Sequence, residues 1–87
     1  MATIRLHRAL GGLFPGAPSV VTAEGANVGE LIDALDARWP GMADRLRVPH
    51  GPLRVNIRVF VDRDLAELTT PVAPGSVVHV LLATAGG

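Results

Sequence analysis

Near its end the chain reads "VVHVLL" (Val77 to Leu82), apolar at every position but His79. A strand facing solvent on one side alternates apolar with polar residues; one that is apolar throughout is covered on both sides and flanked by neighbours. This segment is therefore expected at the centre of a sheet, parallel to the first strand of the chain. Whatever follows Leu82 then leaves from the middle of the sheet and not from an edge. The other elements have to assemble around that strand.

Their patterns fit the task. "TIRLHRAL" (Thr3 to Leu10) alternates at its start, with Ile4 and Leu6 on one face and Thr3, Arg5 and His7 on the other, as in a half-buried strand. "GGLFPGAP" reads as a loop, and "SVVTAE" as a second strand closing an antiparallel hairpin. "NVGELIDALDARWPG" predicts the one main helix. Asn27 is its N-cap and Glu30 the reciprocal partner of a capping box, and Pro40 stops it. Val28, Leu31, Ile32, Leu35 and Trp39 form its apolar stripe, with Asp33, Asp36 and Arg38 opposite. "MADRL" predicts one more turn. "LRVNIRVFVD" alternates strictly, placing Val55, Ile57, Val59 and Val61 on one face and Arg54, Asn56, Arg58 and Phe60 on the other. "DRD" is a turn, and "LAEL" at most a short edge strand. The fold class is thus α+β: a mixed sheet of four to five strands with one main helix packed across it.

With 87 residues this is one domain, 1–87, without linker or repeat. Its hydrophobic fraction of 48% against 18% charged residues supports a core. The eight basic residues are all Arg and balance eight acids, so no basic field favours nucleic acid or a membrane. Cysteine is absent, which excludes disulfides and a thiol nucleophile. Lysine is absent too, so isopeptide chains cannot be built on this protein's own side chains. No leader or long apolar run is visible, and a cytoplasmic location is expected.

Few residues suggest a site. His7, His50 and His79 lack metal-ligand spacing, and no metal is expected. Asp62-Arg63-Asp64 lacks the further ligands of a calcium loop and reads as a solvated turn. "GGLFPG" has neither the spacing nor the lysine of a phosphate loop. No nucleophile–base pair can be assembled, so the chain is not expected to be an enzyme. A Phe turned away from the core is different: Phe60 beside Arg58, with His79 and Leu81 on the same face, has the make-up of a partner-docking surface.

The tail Ala83-Thr84-Ala85-Gly86-Gly87 admits two readings. It is a poorly ordered end, or a thin lead that carries a terminal carboxylate into another protein's site. Two glycines allow close approach at any backbone angle. An ionised carboxylate can attack ATP to give an acyl-adenylate, which a sulfur nucleophile then opens to a thiocarboxylate.

"APGSVVHVLLATAGG" resembles the C-terminus of the ThiS/MoaD sulfur carriers, which are ubiquitin-like β-grasp proteins. Pro74-Gly75-Ser76 matches their Gly-containing turn, Val77 to Leu82 their Val-rich strand, and Ala83 to Gly87 their tail. "LRVNIRVFVDRD" is similar to the family's third strand and following turn. "GMADRL" resembles carriers of the actinobacterial cysteine-biosynthesis type. The tail departs from the family in lacking the Pro often found at Leu82 or Ala83. The resemblance implies that Gly87 is the adenylated and thiocarboxylated residue, at the end of a flexible tail of about residues 83–87. It implies three partners: an adenylating enzyme similar to the ubiquitin-activating enzymes, a sulfurtransferase or sulfide source, and a sulfur-accepting synthase. ATP would be used by the adenylating enzyme, and the carrier itself would bind no cofactor. Three other readings stay open here: a molybdopterin synthase small subunit, a non-covalent interaction module, and a ubiquitin-like protein modifier.

Overall fold

The computed structural model describes residues 1–83. Its elements are β1 (Ala2–Leu6), α1 (Arg8–Leu13), β2 (Val20–Ala23), α2 (Val28–Arg38), α3 (Met42–Leu46), β3 (Ile57–Val61), β4 (Asp64–Ala66) and β5 (Val77–Leu82). The five strands form one mixed sheet in the order β2-β1-β5-β3-β4. β5 is central, parallel to β1 and antiparallel to β3, as its apolar run requires. With α2 packed across one face, this is the β-grasp arrangement that the family resemblance implies.

One face of the sheet is covered. Ile4 and Leu6 of β1, Val59 of β3 and Val78 and Val80 of β5 are buried with Val28, Leu31, Ile32 and Leu35 of α2 and with Met42 and Leu46 of α3. Each large aliphatic side chain taken out of water contributes roughly 1.5–3 kcal/mol before chain entropy is subtracted. The helix caps are local. Asn27 Oδ1 accepts the Glu30 N–H (2.9 Å), and Glu30 Oε1 reaches back to accept the Ala26 N–H (3.0 Å), one residue further out than the expected capping box. Gly41, at φ +97°, opens α3 in a conformation that side-chain-bearing residues rarely adopt. Asp36, expected merely to face solvent, caps that helix: its Oδ1 accepts the N–H groups of Gly41 (3.0 Å) and Ala43 (2.9 Å).

Several expectations need correction. The first strand ends at Leu6, not Leu10, and part of the expected Gly-rich loop is helix α1. His7 supplies its N-cap, Nδ1 accepting the Ala9 N–H at 3.1 Å, and Leu10 plugs into the core. Burial of one leucine outweighs the roughly 1 kcal/mol per residue by which Gly11 and Gly12 disfavour a helix. Val55 does not face the core; it is 91% exposed. The strand starts only at Ile57, because the Ile57 N–H closes a turn onto the Arg54 carbonyl (3.0 Å) and leaves Val55 inside that turn. Trp39 is half-buried at the C-cap of α2, with the Arg38 guanidinium 4.6 Å from its ring centroid. Arg38 is not simply solvated either: Nη1 donates to the Thr22 carbonyl (3.1 Å), tying α2 to the sheet edge.

Candidate functional site

The turn before β5 sets the direction of the last segment. Gly75, at φ +86°, completes a tight turn in which the Ser76 N–H donates to the Ala73 carbonyl (3.0 Å). β5 then runs through the middle of the sheet and delivers the chain to Ala83. There the Ala83 N–H donates to the Asn56 carbonyl (2.7 Å), so the root of the tail is held by the segment that enters β3. Thr84, Ala85, Gly86 and Gly87, which carry the expected chemistry and the expected flexibility, lie outside the described residues. Next to this root is the mouth of a groove lined by Leu10, Leu13, Arg45, Arg54, Asn56 and Leu82. Arg54 closes one wall, its Nε donating to the Asp44 carbonyl at 2.6 Å.

Beside that mouth lies the uncovered face of the sheet. Strand register places the four residues singled out from sequence in two facing pairs: Arg58 opposite Leu81, and Phe60 opposite His79. Arg58 and Leu81 are exposed; Phe60 and His79 are half-buried. The Arg58 guanidinium folds back, Nη1 donating to the carbonyls of Val55 (2.7 Å) and Ile57 (3.1 Å). The Arg58 cation is thereby held against the backbone that enters its own strand.

Arg5 was missed as part of this face. The parallel pairing of β1 with β5 sets it opposite His79, so Val20, Arg5, His79, Phe60 and Leu65 form one row across all five strands. Its alternation was readable, but its neighbour across the sheet depends on a parallel register that no local pattern encodes. Arg63 was missed as well. Asp62 and Arg63 are the two loop residues of the β3–β4 hairpin, at φ +47° and +79°.

Asp62 is more than a solvated turn residue. Its Oδ2 accepts the Ser76 hydroxyl (2.7 Å) and its Oδ1 the Val77 N–H (2.9 Å). Those two donors, the hydroxyl first, hold the carboxyl below the usual aspartate pKa by favouring its charged form. Among the described residues no group of three His, Cys, Asp or Glu could hold a metal ion. Nor is any described helix long and apolar enough to cross a membrane.

Comparison with known proteins follows the same outline. The model of the ThiS family matches residues 13–87. The sulfur carrier protein CysO of Mycobacterium tuberculosis is 33% identical over 78 residues, covering 83% of this chain and 84% of that protein. A crystal structure of the Amycolatopsis orientalis BexX/CysO complex contains a chain similar to this one at TM-score 0.88, with 30% identity and full coverage of both chains. The crystal structure of SAMP1 from Haloferax volcanii is similar at TM-score 0.76 and 25% identity, covering 99% of this chain and 98% of that one.

Proposed function

The chain belongs to the ThiS family and is a sulfur carrier; on that premise we propose that Gly87 holds the sulfur. The observation that carries this reading is that the family match runs through Gly87 itself. It is supported by the geometry of the root, where the central strand and the Asn56 carbonyl anchor Ala83. Four further residues can reach at most about 14 Å from there. That reach suits a body docked on the outside of an enzyme with its last residue inside.

The chemistry is activation followed by exchange. A carboxylate oxygen of Gly87 attacks the α-phosphorus of ATP in a partner adenylating enzyme, and pyrophosphate leaves. Sulfide, or a sulfurtransferase's persulfide with reduction by a thiol, then supplies the sulfur that attacks the acyl carbon. AMP departs with its oxygen, and a thiocarboxylate remains. A synthase accepts the sulfur, and the similarity to CysO favours one that forms cysteine. This protein contributes no acid, base or metal to any step. It is a carrier that others load and unload. Arg58, Phe60, His79 and Leu81 form the face by which the adenylating enzyme grips the body, because a short peptide alone offers little contact and must be ordered to bind.

The test is intact mass. After incubation with the cognate adenylating enzyme, ATP and sulfide, Gly87 should exchange one oxygen for one sulfur. A variant lacking Gly87 should take up none and melt at the same temperature. An unchanged mass beside a second carrier that the same enzyme loads would overturn the proposal.

A further inference from the structure

The net charge of zero hides a segregation of charge. Of the acids in regular elements, Glu30, Asp33 and Asp36 lie on α2, Asp44 on α3, and Asp64 on β4 beside the covered side of Val61. The strand positions on the uncovered face hold no carboxylate; their charges are Arg5 and Arg58. Between β1, β5 and the β3–β4 turn, a shallow depression is lined by Arg5, Asp62, Arg63, Val77 and His79. Among the described residues Asp62 is the one carboxylate that lines it, and both its oxygens are already engaged by Ser76 and Val77.

Arg63 is unusual in its place. The second residue of a two-residue hairpin loop with left-handed backbone is ordinarily glycine, which adopts φ +79° without strain. An arginine here accepts that strain and sets a guanidinium at the rim of the depression. Backbone strain held by a charged side chain at a surface concavity is a pointer to function. Apolar surface adjoins the depression: Val20, Leu65 and Leu81 are exposed and Phe60 half-buried.

We infer that this depression receives an acidic side chain of the adenylating enzyme, with Arg5 and Arg63 as its two guanidinium contacts and the Phe60–Leu81 strip packed against an apolar surface beside it. This rests on the carrier reading above, and it adds two residues and a partner chemistry to it. A carboxylate is favoured because two planar guanidinium groups line the depression, one from β1 and one from the β3–β4 turn. Charge complementarity of this kind steers encounter and selects partners, and it is screened by salt.

Binding of the full-length protein to its adenylating enzyme should therefore be measured by calorimetry at about 50 and about 300 mM NaCl. Arg5→Gln and Arg63→Gly should each weaken binding about three- to tenfold at the lower salt, and the deficit should shrink at the higher. Arg63→Gly relieves the turn, so it should melt no lower than the parent; loss of affinity with a retained or raised Tm cannot be a folding defect. Arg47→Gln, in the loop after α3, is the control and should bind as the parent does. The inference is overturned if the Arg5→Gln/Arg63→Gly double variant binds like the parent, or if the parent's affinity ignores salt. Loading separates the two readings. If the Arg5 and Arg63 variants lose affinity as expected but the parent's Gly87 gains no sulfur, the docking inference stands and the thiocarboxylate reading falls. If the double variant binds and loads like the parent, the reverse holds.

Discussion

Ile4 and Arg5 are consecutive in β1, and Val59 and Phe60 in β3, yet each pair is divided between two different jobs. Ile4 and Val59 point into the layer beneath α2 and α3, where neither is more than 1% exposed. Arg5 and Phe60 stand on the bare side, in one row with His79. The period of two that makes a strand assigns alternate residues to opposite faces. One face is closed by helices and sets stability. The other is covered by no described element, and on the docking proposal it is the face that meets a partner. Energetic damage should therefore sort by face.

The sharpest break of that division is Leu35→Ala, at the centre of the α2 stripe. It should destabilise by roughly 2–5 kcal/mol, through lost burial and the cavity left behind. Chemical denaturation measures the loss, and affinity for the adenylating enzyme, corrected for the folded fraction, should not change. Phe60→Ala should do the opposite. A moderate hot spot at an interface loses roughly 1–3 kcal/mol on truncation, read as a rise in Kd, while Tm should fall only slightly. If Phe60→Ala unfolds the protein and spares binding, the two faces do not divide the work.

Asp62→Asn tests the joint between the faces, where the carboxylate ties the β3–β4 turn to the start of β5. Because the folded-state pKa is depressed, its contribution is complete above the ordinary aspartate value and is lost as pH falls through the folded one. The parent should melt higher than the variant at neutral pH, and the gap should close below about pH 4. A gap that persists unchanged at pH 2 would refute the role of the charge. The smallest effect is expected at Val55→Ser. A side chain in solvent at neither face should shift stability by no more than about 0.5 kcal/mol and leave binding alone; thermal melts and calorimetry on the same sample would reveal any departure.

What could be read early was what is local or periodic. The stripe of α2, its Asn27 and Glu30 caps, the alternation from Ile57 to Val61 and the central place of Val77 to Leu82 each follow from residues close in sequence. Two local readings failed where a tertiary contact overrode them. α1 forms in spite of two glycines because Leu10 has a core to enter. The strict alternation around Val55 meant nothing once the backbone turned at Arg54.

Which faces are apolar, and that the last strand lies in the middle, follow from the order of residues alone, since periodicity is a property of neighbouring residues. The similarity of the chain's last fifteen residues to one family pointed to the role. Which residues stand side by side was set when the separate elements docked. Docking set Arg5 next to His79 through a parallel register between residues more than seventy positions apart. It turned Asp36 into a cap for α3 and Asp62 into a clasp for β5, and it raised Arg63 on a strained turn beside them. Such pairings arise when separate elements dock, and that geometry is fixed by packing in the whole core and not by any stretch of chain.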